Sequence, residues 1–245
     1  MLMPTRPMYS RVPCKMRDLG QMNDRLGEAE VLRGLGNLER ELGRNDEARA
    51  AYEDARALFR QANDRLGEAD VLRGLGDLER ELGRNDEART AYEDARTLFR
   101  HANDRLGEAE ALRGLSDLEN KLGRNDEART AYGYARTLFR QANDRLGEGE
   151  ALRGLGDLES KLGRNDEART AYEDARTLFR QEDDRLAEAN VLLRLGDLES
   201  ELGRNDEAQT AYGNARILFK AGTQSPRRGR RAARSRPSGA RAGRQ

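Results

Sequence analysis

Proline, cysteine and histidine are scarce in this chain, and each shortage removes a class of explanation. All five prolines, Pro4, Pro7, Pro13, Pro226 and Pro237, lie outside 14–225. Proline costs about 3 kcal/mol inside a helix, so its exclusion from that stretch fits a run of helices. The single cysteine, Cys14, leaves no partner for an intrachain disulfide and no zinc-ligand spacing, and a reducing, cytoplasmic setting is the simpler expectation. His101 is the only histidine and stands where Gln61, Gln141 and Gln181 occupy the same place in other segments, which argues against a general base or metal ligand. No stretch approaches the roughly 18 apolar residues of a membrane span, and residues 1–22 lack an apolar core of signal-peptide length. There is no glycine-rich phosphate loop, and the Asn-Asp-x-x-Gly pieces lack the oxygen-ligand spacing of a calcium loop. The acidic residues read as helix-face and capping groups, since an acid/base pair would need an enclosing pocket that near-identical segments do not build. Neither catalysis nor a cofactor is expected.

Aromatics make up only 5% and charged residues 37%, a composition that leads to disorder unless the few apolar residues recur at a structural period. They do recur. The word that begins Asn23-Asp24-Arg25-Leu26 returns at Asn63, Asn103, Asn143 and Asp183, giving five 40-residue units over 23–62, 63–102, 103–142, 143–182 and 183–220. Units repeated at such a period pack mainly on their neighbours and form an elongated solenoid with a long exposed surface. Near-identity of the copies carries no functional weight, because recent tandem duplication produces it without selection. The formal net charge of zero conceals a division: residues 23–220 hold 33 basic and 44 acidic residues, whereas 221–245 hold eight arginines and no acid.

Within the first unit Leu26, Ala29, Leu32, Leu35, Leu38 and Leu42 fall three or four apart and predict one amphipathic helix. Gly43 is placed to take the left-handed conformation that ends it. Asn45 is then expected to cap a second helix whose first turn holds Asp46 and Glu47. Ala48, Tyr52, Ala55, Leu58 and Phe59 give that helix its buried side, and Asn63-Asp64 is expected to cap the next unit. One such hairpin buries too little to offset a backbone ordering cost of roughly 1–2 kcal/mol per residue, so the units must stack. The fifth copy departs most, with Ala187 for glycine and Leu193-Arg194 for Arg-Gly, and is read as a partial cap. Residues 1–22 are expected to be poorly ordered, and 221–245, without apolar periodicity, to be a disordered arginine-rich tail.

Leu32-x-x-Leu35-Gly36 followed by Ala48-x-x-x-Tyr52-x-x-Ala55 resembles the signature of the tetratricopeptide repeat, five times over 23–220. The resemblance implies an all-α solenoid, a right-handed superhelix of antiparallel helix pairs. Three features depart from the family pattern. Glu39, Glu79, Glu119, Glu159 and Glu199 replace an aromatic, no proline follows the second helix, and the period is 40 instead of about 34. Packing is therefore expected to rely more on Leu38 and Leu42. Longer variants of this kind look like the arrays of kinesin light chains, cell-polarity adaptors, and bacterial and fungal signalling proteins.

In that family the first helix lines the inner groove, and the ligand-facing positions correspond here to Arg33, Asn37, Arg40, Arg73, Asp77, Arg80, Arg113, Asp117, Arg153 and Asp157. Arginine and aspartate four apart share a helix face, so the same residues make either a self-paired solvated surface or a recognition surface. Gly74, Gly114 and Gly154 beside the arginines would admit a bound backbone, and close helix packing explains them equally well. Family members that grip a C-terminal carboxylate use lysine and asparagine at set positions. Arg33 and Asn37 imitate the first pair, but Gly74, Glu110 and Gly114 follow in the next copies, so that ligand is not expected. The resemblance implies a non-catalytic scaffold that holds a protein or peptide segment of mixed charge in its groove.

The alternative lies in the tail, where Arg227, Arg228, Arg230, Arg231, Arg234 and Arg236 suit phosphates of nucleic acid or an anionic surface. No aromatic is interleaved for base stacking, and an incidental end explains the run as well. Uncapped ends also leave open association into dimers or filaments, or a fragment of a longer array.

Overall fold

The computed structural model describes residues 14–224, with side chains for 24–221. The expectations for residues 1–13 and for the tail arginines fall outside the described residues. Ten helices make up the described residues, with no strand among them: α1 (Cys14–Glu41), α2 (Asn45–Gln61), α3 (Arg65–Glu81), α4 (Asn85–His101), α5 (Arg105–Lys121), α6 (Asn125–Gln141), α7 (Arg145–Lys161), α8 (Asn165–Gln181), α9 (Arg185–Glu201) and α10 (Asn205–Gln224). Helix α1 thus begins inside the segment 1–22 that the sequence suggests is poorly ordered, and residues 14–22 are helical.

Each odd helix pairs with the even helix that follows it, and each even helix packs on the next odd one. The backbones of successive odd helices also approach one another, whereas those of successive even helices do not. The shorter spacing marks the inner side of a curve, so α1, α3, α5, α7 and α9 line the hollow side of an all-α solenoid.

The two connections in each repeat share one backbone design. After α1 the Gly43 and Arg44 amides donate to Arg40 and Glu39 carbonyls at 3.0 and 2.8 Å, and after α2 Asn63 and Asp64 donate to Arg60 and Phe59 at 3.1 and 2.9 Å. Both are helix ends closed by a left-handed residue, Gly43 at φ 73° and Asn63 at φ 55°. Asparagine tolerates that conformation better than most side chains, which explains Asn63 and its copies. Capping then differs from the sequence expectation. Asp64 accepts from the Leu66 and Gly67 amides at 3.1 and 3.0 Å, so aspartate caps the odd helices from α3 onward while Asn63 shapes the turn. Asn45 is no cap at all: Arg44 occupies the cap position without a side-chain bond, and Asn45 is already helical.

The core is built across repeat boundaries. Tyr52 and Phe59 of α2 are fully buried against Val71, Leu75 and Leu78 of α3. The Tyr52 ring lies between Gly36 of its own repeat and Gly74 of the next, where an added Cβ would come within 2.7 and 3.0 Å of it. Gly76, Gly114, Gly154 and Gly156 meet tyrosines in the same way, so the glycines beside the groove arginines serve close helix packing. Ser116, at one of these small positions, is fully buried and donates to the Leu112 carbonyl at 2.7 Å.

Leu38 and Leu42 are exposed in the first repeat, but their counterparts Leu78, Leu118, Leu158 and Leu198 are buried and Leu82, Leu122, Leu162 and Leu202 pack against the core, so these leucines do carry the packing around the position of the missing aromatic. An ion pair takes its place. Glu79, Glu119, Glu159 and Glu199 are only 4–6% exposed, and each meets an arginine thirty residues earlier on the preceding even helix: Arg49, Arg89, Arg129 and Arg169, at 2.5–2.7 Å. A second arginine from the turn of the same repeat, Arg84, Arg124, Arg164 or Arg204, stands at 3.4–3.6 Å. A buried carboxylate is tolerable only when paired in this way.

Candidate interaction face

All ten groove residues named from sequence lie on odd helices and are half-buried. The structure organises them around the tyrosines. The Tyr52 hydroxyl donates to Asn37 at 2.7 Å, Tyr92 to Asp77 at 2.7 Å, Tyr132 to Asp117 at 2.5 Å and Tyr172 to Asp157 at 2.8 Å. Asn37, one half of the imitated carboxylate grip, is therefore already engaged. Burial raises the Tyr92, Tyr132 and Tyr172 phenols well above their ordinary range, and the aspartate charge that each faces adds to the effect. These hydroxyls remain protonated donors that fix the aspartates along the hollow side.

The arginines complete a charged ladder. Arg113 reaches Asp117 at 3.4 Å and Arg153 reaches Asp157 at 3.1 Å, as i,i+4 spacing predicts. Arg153 also meets Glu150 at 2.8 Å, and Arg33 meets Glu30 at 2.6 Å. Arg73 departs from that pattern: it meets Asp70 at 3.7 Å and, across the repeat boundary, Glu110 at 3.3 Å. Arg80 donates to the Tyr92 hydroxyl at 3.2 Å, and Arg40 crosses to Glu81 at 2.8 Å. Burial works against the charge of Arg73, but Glu110 and Asp70 outweigh it and its pKa is raised.

Self-pairing of this kind does not close the surface to a partner. Partly exposed pairs are each worth only a few tenths of a kcal/mol to about 1 kcal/mol, so a ligand carrying both signs can exchange with them at little cost. Sequence reasoning weighed Glu110 only against a carboxylate grip, and it missed Glu30, Asp70 and Glu150, which like Glu110 lie three positions before an arginine, and the five tyrosine hydroxyls; their recurrence every 40 residues was the available signal. It read Leu193 only as a departure of the last repeat; this residue stands at the arginine position in α9, is 36% exposed and offers the one large apolar group at that position in the ladder. Beside it, Arg194 reaches back to Asp157 at 3.6 Å.

Among the described residues no group of histidine, cysteine and acidic side chains is arranged to hold a metal ion, and no helix is long and apolar enough to cross a membrane.

Stacked antiparallel helix pairs repeated every 40 residues define an all-α repeat protein. The tetratricopeptide repeat profile matches residues 27–101, 67–141, 107–181 and 147–220, and the chain belongs to that family. Solved structures share the fold at low identity. BtubC (BKLC) from P. vanneervenii is 18% identical with a TM-score of 0.71, over 90% of this chain and 96% of that one. A Rap protein complexed with Competence and Sporulation Factor is 15% identical with a TM-score of 0.70, over 80% of this chain and 55% of that one. A kinesin light chain-type protein of nearly identical TPR-like repeats from Podospora anserina is 13% identical with a TM-score of 0.65, over 80% and 96%. Among curated protein sequences none matches the chain.

Proposed function

We propose that the chain is a non-catalytic interaction scaffold whose inner face captures a segment of a partner protein. The observation that carries this reading is the ladder of arginine and aspartate side chains held at fixed 40-residue intervals by buried tyrosine hydroxyls. Fixed donors and acceptors lower the ordering cost of recognition, and exchangeable ion pairs suit a helix or extended strand that carries both basic and acidic side chains. Two further facts support it. The tetratricopeptide family is in general an interaction fold, and the Rap protein of similar fold is complexed with Competence and Sporulation Factor. Leu193 and Arg194 supply an apolar and a basic contact at one end, which gives the face a direction.

Replacing Arg73, Arg113 and Arg153 together with glutamate tests the reading. Capture of the native partner should be lost while the far-ultraviolet circular dichroism of the array is retained; unchanged capture by a folded triple variant would move the site off this face.

A further inference from the structure

We propose that the two ends of the array are complementary to each other and that copies of the chain join head to tail, the α10 face of one docking on the α1 face of the next. The occupant of each exposed end is thus a second copy.

The α1 end presents an unfilled half of the internal repeat interface. Val31, Leu35, Leu38 and Leu42 are 71, 41, 50 and 55% exposed, whereas Val71, Leu75 and Leu78, forty residues on, are buried beneath α2. Two glycines sharpen the match. A Cβ on Gly67 would overlap the Phe59 ring and one on Gly74 would touch Tyr52, but Gly27 and Gly34 meet nothing within 4 Å. Glycine in mid-helix is unfavourable, and among the described residues no ring occupies the room these two leave.

The α10 end presents the other half. Tyr212 and Phe219 stand where Tyr52 and Phe59 stand in α2, and Tyr212 is 37% exposed while Tyr52 is fully buried. Charges agree as well. Arg56 meets Glu68 at 3.3 Å across an internal boundary, and the equivalent pair across the junction is Arg216 with the exposed Glu28. One internal contact is lacking. Gln209 holds the position of Arg169, whose partner Glu199 it meets at 2.5 Å, so the junction would lose that ion pair with Glu39. The joint is accordingly weaker than an internal one and depends on concentration. Because its two faces differ, it propagates as a linear assembly instead of closing as a symmetric dimer.

Sedimentation velocity of the full chain over a wide concentration range tests this. The wild type should grow in mass with concentration. Gln209→Arg should move that growth to about tenfold lower concentration by restoring a charge-assisted pair with Glu39. Gly27→Leu with Gly34→Leu should prevent growth while keeping full helicity, because both positions are open in the single chain and leucine favours helix. A wild type that stays monomeric, whether its own terminal segments cover the face or nothing does, overturns the proposal. So does a leucine variant that assembles like the wild type, or a Gln209→Arg variant with unchanged behaviour.

Discussion

Replacing Arg89 with methionine removes one of the ion pairs that join successive repeats and tests whether these pairs hold the array together. Arg89 makes two bonds to Glu119, at 2.7 and 3.2 Å, and Glu119 is 5% exposed. Breaking a fully buried pair from one side costs about 3–5 kcal/mol, because the remaining charge stays uncompensated. Here the Arg89 side chain is 20% exposed and Arg124, 3.5 Å from Glu119, stays in place, so about 2 kcal/mol is expected. Methionine keeps most of the packing of the arginine stem, so the loss reports the charge. Adding Glu119→Leu should recover much of the stability, since the buried carboxylate goes with its partner. Urea unfolding followed by circular dichroism, combined with amide exchange mapped repeat by repeat, measures both the size and the place of the effect. In a one-dimensional array the loss at one boundary should deprotect the repeats on either side of it before the distant ones. A cost below about 0.5 kcal/mol, the range of an exposed pair, or a double variant no better than Arg89→Met, would refute the reasoning.

Gly107→Ala should destabilise the array by about 1–3 kcal/mol through overlap with Phe99, whereas Gly27→Ala at the matching site should stabilise α1 by up to about 1 kcal/mol; thermal and urea unfolding at high dilution compare them. Asp104→Ala should cost about 1 kcal/mol by removing the bond from the Gly107 amide, while Asn125→Ala, at a helical position without a capping role, should change stability by no more than a few tenths. Alkali should act through the tyrosines. Folding raises the Tyr92, Tyr132 and Tyr172 pKa above the ordinary value of 10.0, so their contribution is complete below that pH and is lost as pH rises through the folded values. Their ionisation absorbance at alkaline pH should therefore appear together with loss of helical circular dichroism; full ionisation with helicity intact would contradict the burial.

Most of the fold was readable because it is local and repeated. Leucine spacing, Gly43 and the small residues Gly36 and Ala48 encode helix faces, a turn and a close crossing within one unit, and the period multiplies each signal. What escaped depends on contacts between units. Glu79 looks like a surface residue in its own helix and becomes a buried joint only when Arg49 arrives from the preceding repeat. The sequence reading also assigned the cap to Asn45 by analogy with asparagine preference, although the Gly43 turn places Arg44 at that position; in the other turn Asn63 takes the left-handed role that Gly43 fills here. On the inner side, helix periodicity anticipated the i,i+4 pairs Arg113–Asp117 and Arg153–Asp157, but most of the pairing comes from residues three positions away, from tyrosine hydroxyls, or from the neighbouring repeat.

Site-specific photo-crosslinking in the native cell tests recognition by the inner face most directly. A crosslinker at Arg113 on the inner face of α5 is compared with one at Asp126, which is 93% exposed at the start of α6. Inner-face recognition predicts a discrete protein adduct from position 113 that is absent from position 126. Adducts from 126 alone, or the same products from both, would contradict it.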